Sequence, residues 1–191
     1  MRYGSEHKAE IHQKIVKDAS RRVRAEGIGG AAVSAVMRDA GLTHGGFYRH
    51  FGSKDELLME SLSEAFQEIA DHLAHAAEQS QPGTAWKAIV KAYLSPEHCE
   101  HVECGCPLAA LAPELARADE ATKAPILGEL IKYKTRVVPW MPGRRAADKE
   151  RAFFAIFSTM IGAIAIARIL PDQAARARVL ASARNFLLGS F

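Results

Sequence analysis

The chain has 191 residues, of which 48% are hydrophobic and 25% charged. This length suits one compact domain with a smaller one attached, and the apolar content is sufficient for a buried core, which excludes a disordered protein. The net charge of +3 is unevenly spread, because residues 1–54 carry ten Lys and Arg against five Asp and Glu. A basic N-terminal segment favours a partner that carries phosphate groups.

The three cysteines are an odd number, and the first residues, MRYGSEHKAEIHQ, lack the apolar stretch of a signal peptide. Disulfides are rare in reducing compartments, so these features predict a cytoplasmic protein with free thiols.

The first predicted helix covers Glu6 to Ala25 and ends at Gly27. Its apolar positions recur every four residues, which predicts one buried stripe. We expect its basic residues to lie on the other faces of the helix; they are Lys14, Lys17, Arg21, Arg22 and Arg24.

A pair of short helices is predicted next. Val33, Val36, Met37 and Ala40 form one apolar stripe, and Gly41 follows where a helix often ends in a left-handed residue. Thr43 is then expected to cap a second helix, with Phe47 and Phe51 facing inward. Two short helices joined by such a turn form a helix-turn-helix, whose second helix can enter a DNA major groove. The outer face would carry His44, Gly45, Tyr48, Arg49 and His50.

The segment AGLTHGGFYRHFGSKDEL resembles the DNA-binding domain of the TetR family of bacterial transcriptional regulators, and the resemblance runs from about Ile11 to Leu57. It implies an all-α protein with a three-helix helix-turn-helix DNA-binding domain over residues 1–54. The larger helical domain, residues 55–191, would bind a ligand and form the dimer. One departure is Ala32, where the family usually has a Ser or Thr that caps the next helix.

The resemblance also implies which residues contact DNA. Thr43, Tyr48, His50 and Lys54 are the phosphate-contact candidates, whereas His44 and Arg49 are long enough to reach base edges. Gly45, like Gly46, lowers helix stability, which makes sense if the backbone approaches DNA closely. Two alternatives remain open: Tyr48 as a half-buried core residue, and a glycine at 46 that makes room for a neighbouring helix.

A long helix is predicted after Ser53, which forms a capping box with Glu56. Its inward positions are Leu57, Leu58, Leu62, Phe66, Ile69 and Leu73. A turn at residues 79–83 and a helix from Thr84 to Leu94 follow.

Three cysteines and two histidines lie within residues 98–106. Pro107 favours the first position of a helix, which places Cys106 at its N-cap, where the helix dipole would lower the thiol pKa. Cys106 is therefore a candidate sensor of oxidants or electrophiles, with Cys104 as resolving thiol. The alternatives are a structural role, or a zinc site formed by Cys99, His101, Cys104 and Cys106, although this spacing matches no reliable zinc pattern.

Pro113 and Pro125 are expected to interrupt the following helices and leave a cavity. Its apolar walls would suit a hydrophobic or aromatic small molecule, although each wall residue could equally be ordinary core. The candidate ligand-binding residues are Phe66, Trp86, Tyr93, Cys106, Tyr133 and Trp140.

The last two helices are predicted from Arg145 to Arg168 and after Pro171. The uncharged run of the first, sixteen residues, is short for a membrane span, so we expect no membrane association and burial on several sides. The resemblance implies that these two helices form a four-helix homodimer interface. A two-fold dimer would bind a palindromic operator.

These observations predict a homodimeric repressor of transcription that leaves its operator when a small hydrophobic inducer binds. The first alternative is the same scaffold with modification of Cys106 as the trigger. A remote alternative is a helical metal-binding protein or enzyme, but the sequence has no nucleophile–base pair, phosphate loop or HExxH-like motif. We therefore predict no enzymatic activity, no cofactor and no metal.

Overall fold

The computed structural model describes residues 2–30 and 32–191. Within these ranges the regular structure is entirely helical, which confirms the predicted all-α fold. The nine α-helices are α1 (Arg2–Glu26), α2 (Val33–Asp39), α3 (Lys54–Glu78), α4 (Ala85–Tyr93), α5 (Pro96–Glu100), α6 (Pro107–Arg117), α7 (Glu120–Val137), α8 (Ala146–Ile169) and α9 (Gln173–Ser190). Short 3-10 helices cover Ile28–Gly30, His44–Arg49, Val102–Cys104 and Val138–Trp140.

The buried apolar side chains form two separate cores. The N-terminal core joins α1, α2, the 3-10 helix His44–Arg49 and the start of α3, and it consists of Ile15, Val16, Ala19, Val36, Met37, Ala40, Phe47, Phe51 and Leu57. The second core takes in Val23 of α1 and Leu58 on the next face of α3, and it extends through α4 to α9. Leu57 is the contribution of α3 to the first core. The division into two domains at residue 54 remains a prediction.

Helix α3 is the element common to both cores. It packs against α1 on one side and against α4 and α7 on the other. All six residues predicted as its inward positions are buried. The two cores are therefore connected by one continuous helix.

Two predictions about proline are wrong. Pro113 lies inside α6 and Pro125 lies inside α7, and both helices continue past the proline. A proline removes one backbone hydrogen bond, and the packing of α6 and α7 against the second core compensates for that loss.

Helix α8 is longer than the uncharged run that the sequence indicated. By length and composition alone its 24 residues could cross a membrane, so its length does not argue against a span. The core helix of a soluble protein has the same composition, and 44% of its most apolar window is already buried inside this chain. The absence of membrane association remains a prediction.

Arg24 lies outside the apolar stripe of α1, yet it is not in solvent. Its side chain is fully buried, where Nη2 is 2.5 Å from Glu68 Oε2 and Nη1 donates to the Gly105 carbonyl at 3.1 Å. Since Glu68 is on α3 and Gly105 precedes α6, this arginine connects α1 to two elements of the regulatory domain.

Candidate nucleic-acid interface and ligand site

The turn between α2 and the following 3-10 helix is a Schellman motif. The Gly41 N–H donates to the Arg38 carbonyl at 3.0 Å, and the Leu42 N–H donates to the Met37 carbonyl at 2.8 Å. Gly41 has a φ of +77°, as predicted from its position after the apolar stripe. This turn sets the angle at which the second helix leaves the first.

The second helix is the 3-10 helix His44–Arg49, which we call the reading segment. Its inner side carries Phe47, which stacks on Phe51 with ring centroids 5.4 Å apart. Phe51 in turn stacks against His12 of α1 at 4.6 Å. The predicted inward orientation of both phenylalanines is confirmed, since each is 2% exposed.

The outer side of the reading segment presents the predicted DNA-contact residues to solvent. Thr43, His44, Gly45 and Arg49 are all exposed. Tyr48 is 72% exposed, which rules out the half-buried core position that was its alternative. An aromatic side chain of this size held in water is available to a partner surface.

Thr43 occupies the N-cap position of the reading segment, as predicted, but its hydroxyl forms no capping hydrogen bond within the described residues. Ala32, the N-cap residue of α2, also forms no capping hydrogen bond, because its side chain has no acceptor atom. The Thr43 hydroxyl therefore remains available to an external acceptor such as a phosphate oxygen.

His50 lies at the C-terminal end of the reading segment and is half-buried. Burial lowers its pKa, and the nearby His12, Lys8 and Arg49 lower it further. Its Nδ1 atom is buried and has no hydrogen-bond partner in the described part of the chain. A neutral imidazole can still donate one N–H to a phosphate.

Gly45 and Gly46 are not required by the packing of the domain. A Cβ added to Gly45 would meet no atom of the described structure within 4 Å, and one at Gly46 would meet Met37 Cε at an ordinary 3.6 Å. The alternative that position 46 makes room for a neighbouring helix is therefore not supported.

Helix α3 begins beside the reading segment with the predicted cap. The Glu56 N–H donates to Ser53 Oγ at 3.0 Å, while the Glu56 carboxylate accepts from the Gly52 N–H, one residue before the expected position. Lys54 is exposed in the first turn. Lys54 thus lies five residues after the reading segment, at the positive end of the α3 dipole, which favours an anion.

The N-terminal domain also matches a known family by sequence. Residues 15–60 match the family model described as bacterial regulatory proteins, tetR family. The N-terminal domain is a TetR-type DNA-binding domain. The matched residues include α2, the reading segment and the start of α3, which form the surface described above.

Relatives of known sequence resemble part of this chain. The chain is 32% identical over 78 residues to the HTH-type transcriptional regulator TtgR of Pseudomonas putida, which covers 41% of this chain and 37% of TtgR. It is 26% identical over 113 residues to the regulator LmrA of Bacillus subtilis, covering 58% of this chain and 60% of LmrA. The match thus spans about a third to three fifths of the length of these relatives.

Solved structures extend the similarity of fold to both domains. A TetR-family regulator from Cytophaga hutchinsonii superposes with a TM-score of 0.76 over 96% of each chain at 17% identity. One from Chloroflexus aurantiacus gives 0.77 over 96% of this chain and 95% of its own at 22% identity. The similar proteins are transcriptional regulators, which agrees with the prediction that this chain is not an enzyme.

The candidate ligand-binding residues lie in the regulatory core. Phe66, Trp86, Tyr93, Cys106 and Tyr133 are buried, and Trp140 is partly buried against them. The Phe66 and Tyr133 rings are 6.0 Å apart, and Phe157 contacts both tyrosine rings. Trp86 instead contacts Phe191 at 6.2 Å.

Most of these side chains are closed in by their neighbours. A cavity of about 80 Å³ between α3 and α7 is lined by Phe66 and Tyr133, together with Ala70 and the polar residues Gln67, Glu129, Lys132 and Arg136. The assignment of the six residues to a ligand site remains a prediction.

Cys106 is at the N-cap of α6 with Pro107 after it, as predicted, but the expected effect on its thiol is wrong. The side chain is 1% exposed, and burial raises the thiol pKa. Tyr93, the backbone N–H groups of Ala109 and Leu108, and the charge of Arg168 lower the pKa by less. The N-terminus of α6 lowers the thiol pKa, as expected, but desolvation of the thiolate raises the pKa by more.

The four candidate zinc ligands differ in environment. Cys99 and Cys106 are buried, whereas Cys104 and His101 are exposed. Among residues 2–30 and 32–191, no three His, Cys, Asp or Glu side chains are grouped so as to hold a metal ion.

Proposed function

We propose that this protein is a transcriptional repressor that binds a palindromic operator as a homodimer and leaves it when a small hydrophobic inducer binds the regulatory domain. The observation that carries the proposal is the reading segment, in which Phe47 packs into the N-terminal core through Phe51 while the polar side chains and Tyr48 are in solvent. A rigid, basic and exposed short helix is suited to a major groove.

The homodimer is supported by the outer faces of α8 and α9. Phe154, Ile166 and Ile169 of α8 and Phe186 of α9 are between 54% and 82% exposed. An apolar surface of this kind on two adjacent helices favours a protein interface, and a second copy of the same surface completes a four-helix arrangement. Two-fold symmetry would then present two reading segments to one side of a DNA duplex.

The response to an inducer is supported by the continuity of α3. This helix begins at Lys54 beside the reading segment and passes through the core that holds the candidate ligand residues. A ligand that displaces α3 would change the spacing between the two reading segments. It releases DNA only if it binds the altered spacing more tightly than the DNA-competent one.

The direct test is selection of genomic DNA fragments on the purified protein, followed by affinity measurements on the enriched sequence. We expect a palindromic site. Arg49→Ala should weaken binding about 5- to 150-fold for each half-site and relax the base preference at one position of it, since a base contact provides about 1–3 kcal/mol.

Lys54→Ala should weaken binding to all sequences alike and reduce the salt dependence, because it removes a phosphate contact. Lys132→Ala, which removes the same charge from the exposed side of α7, is the matched control and should leave binding unchanged. If no fragment is enriched over random DNA, the proposal is wrong.

The alternative trigger, modification of Cys106, is less well supported because the thiol is buried and its pKa is raised. We expect Cys106 to be alkylated more slowly than the exposed Cys104 when the native protein is followed by mass spectrometry. Loss of DNA binding after mild oxidation that Cys106→Ser prevents would instead establish the thiol sensor.

The proposed location is the cytoplasm, where a bacterial repressor meets its operator. The remote alternative of a metal-binding protein or enzyme has no counterpart among the similar proteins reported above.

A further inference from the structure

The regulatory core contains two tyrosine hydroxyls without partners. Tyr93 on α4 is 0% exposed and Tyr133 on α7 is 3% exposed. Neither Oη atom has a hydrogen-bond partner among the residues that the structure describes. Leaving a buried donor unpaired lowers stability, so a pair of such hydroxyls in one core requires an explanation.

The surroundings of the two hydroxyls are aromatic. Phe157 contacts Tyr93 and Tyr133 edge-on, with ring centroids 6.0 and 5.5 Å away. Phe66 and Phe153 approach Tyr133 at 6.0 and 6.3 Å. A flat aromatic molecule placed among these rings would make the offset and edge-on contacts that aromatic groups prefer.

The neighbouring polar groups do not provide the missing acceptors. His98 uses both ring nitrogens, because Nδ1 donates to the Tyr93 carbonyl at 2.6 Å and Nε2 accepts from the Cys106 N–H at 2.9 Å. The Cys106 sulfur lies beside the Tyr93 hydroxyl, but a thiol is a weak partner and the pair does not form a well-aligned hydrogen bond.

Burial raises the pKa of Tyr93 and the charge of Arg168 lowers it, but the Arg168 guanidinium group is held by two backbone carbonyls. Arg168 donates from Nε to the Cys99 carbonyl and from Nη2 to the His98 carbonyl. Its third nitrogen, Nη1, is also unpaired, but this residue lines the cavity between α1, α6 and α8. The tyrosine pair therefore offers two neutral donors, which suits an uncharged acceptor better than a carboxylate.

A route to Tyr133 lies between α3 and α7. The cavity of about 80 Å³ there is lined by Phe66 of α3 and Tyr133 of α7. Next to it, Arg136 of α7 forms an ion pair with Asp71 of α3. A ligand larger than this cavity has to separate the two helices, and α3 is the helix that reaches the DNA-binding domain.

We infer that the inducer is an uncharged aromatic molecule with an acceptor oxygen, which enters between α3 and α7 and accepts hydrogen bonds from the Tyr93 and Tyr133 hydroxyls. This inference rests on the proposed function, because it assigns the chemistry of the ligand that the regulatory domain binds.

Three molecules of nearly the same shape test the inference. Acetophenone has a carbonyl oxygen, ethylbenzene has none, and benzoate is charged. By calorimetric titration, acetophenone should bind about 10-fold more tightly than ethylbenzene, and benzoate should bind most weakly. Tyr93→Phe and Tyr133→Phe should each reduce the preference for acetophenone while ethylbenzene affinity stays within about twofold, because the ring is retained.

A second measurement needs no ligand. If the hydroxyls are unpaired, each Phe variant should have a denaturation midpoint equal to or higher than that of the wild type. A lower midpoint for both variants would mean that the hydroxyls are already paired, for example through buried water, and would overturn the inference. Equal affinity for acetophenone and ethylbenzene, tightest binding of benzoate, or binding of none of the three at millimolar concentration would also overturn it.

The same preparations separate this inference from the proposed function. A protein that selects an operator but shows no tyrosine-dependent preference for acetophenone refutes the ligand assignment alone. A protein that shows the preference but enriches no DNA refutes the repressor and leaves the ligand site in place.

Discussion

His98 is the residue whose charge depends most clearly on the tertiary structure. Burial lowers its pKa to about 4, and the nearby charges of Arg168, His72 and Arg24 act in the same direction, whereas the hydrogen bond to the Tyr93 carbonyl opposes them. The neutral ring joins the end of α4 to the start of α6 through Tyr93 and Cys106. Protonation of Nε2 would remove its ability to accept from the Cys106 N–H.

We expect this residue to make the protein less stable as the pH is lowered. The pKa is lower in the folded than in the unfolded chain, so the unfolded chain binds a proton first. The contribution of neutral His98 to the free energy of unfolding is complete above pH 6.5. It is lost as the pH falls towards 4, and the loss amounts to about 3 kcal/mol.

The check is a comparison of wild type with His98→Gln in urea unfolding between pH 7.5 and 4. The difference between the two free energies of unfolding should narrow or reverse as the pH falls. A difference that is constant over this range would show that His98 does not titrate in this way.

Gly41 and Gly45 show that two glycines close together in the sequence can serve different purposes. Gly41 needs its positive φ for the Schellman turn, whereas Gly45 lies in the reading segment without a positive φ. At neither position would a Cβ meet an atom within 4 Å in the described structure. Both positions therefore have space for a side chain. The two glycines differ only in backbone conformation and in access to DNA.

Gly41→Ala should lower the free energy of unfolding by about 1 kcal/mol, because a left-handed conformation is unfavourable for alanine. Gly45→Ala should leave stability unchanged or slightly higher, but weaken operator binding, because its methyl group projects from the reading surface. Urea unfolding and a DNA-binding titration on both variants test this pair. The interpretation fails if the first variant is as stable as wild type or the second binds DNA normally.

At the level of elements, Arg24 is the principal polar link between the two domains. Its guanidinium pairs with Glu68 of α3 and donates to the carbonyls of Ser20 and Gly105. Arg24→Met keeps most of the side-chain volume but leaves these acceptors unpaired, so we expect a loss of about 2–3 kcal/mol in unfolding free energy.

Arg21→Met, at an exposed position of the same helix, is the control and should have little effect on stability. Equal stability of the two variants, measured by urea unfolding, would mean that the buried ion pair adds nothing to the domain connection.

At the level of the whole molecule, α8 and α9 leave large apolar side chains in solvent. Ile169→Glu places a charge on the residue that is 82% exposed in the monomer and would be desolvated in the proposed interface. We expect a folded monomer by light scattering and a large loss of operator affinity, since one reading segment then binds alone.

Leu127→Glu is the matched control, since this leucine is 57% exposed on α7, outside the proposed interface. It should leave both the molecular mass and the operator affinity unchanged. A wild-type protein that is already monomeric, or an Ile169→Glu protein that remains dimeric, would contradict the assignment of α8 and α9.

Features that depend on neighbouring residues were predictable from the sequence. The inward faces of α3 and of the reading segment, the cap at Ser53 and the left-handed Gly41 were all correct. Helix periodicity and capping involve residues three or four positions apart, so the local pattern contains the necessary information. The resemblance of AGLTHGGFYRHFGSKDEL to one family extended this to the all-α fold.

The features that the sequence did not show are properties that only the tertiary structure decides. Arg24 is buried because it meets Gly105, 81 residues later in the chain. The thiol pKa of Cys106 is raised because the second core desolvates it, although the helix terminus that the sequence indicated is present. The unpaired hydroxyls of Tyr93 and Tyr133 likewise reflect two helices that meet only in the folded domain. Local periodicity thus determined which elements form, whereas desolvation and long-range contacts determined the charge and pairing of the groups between them.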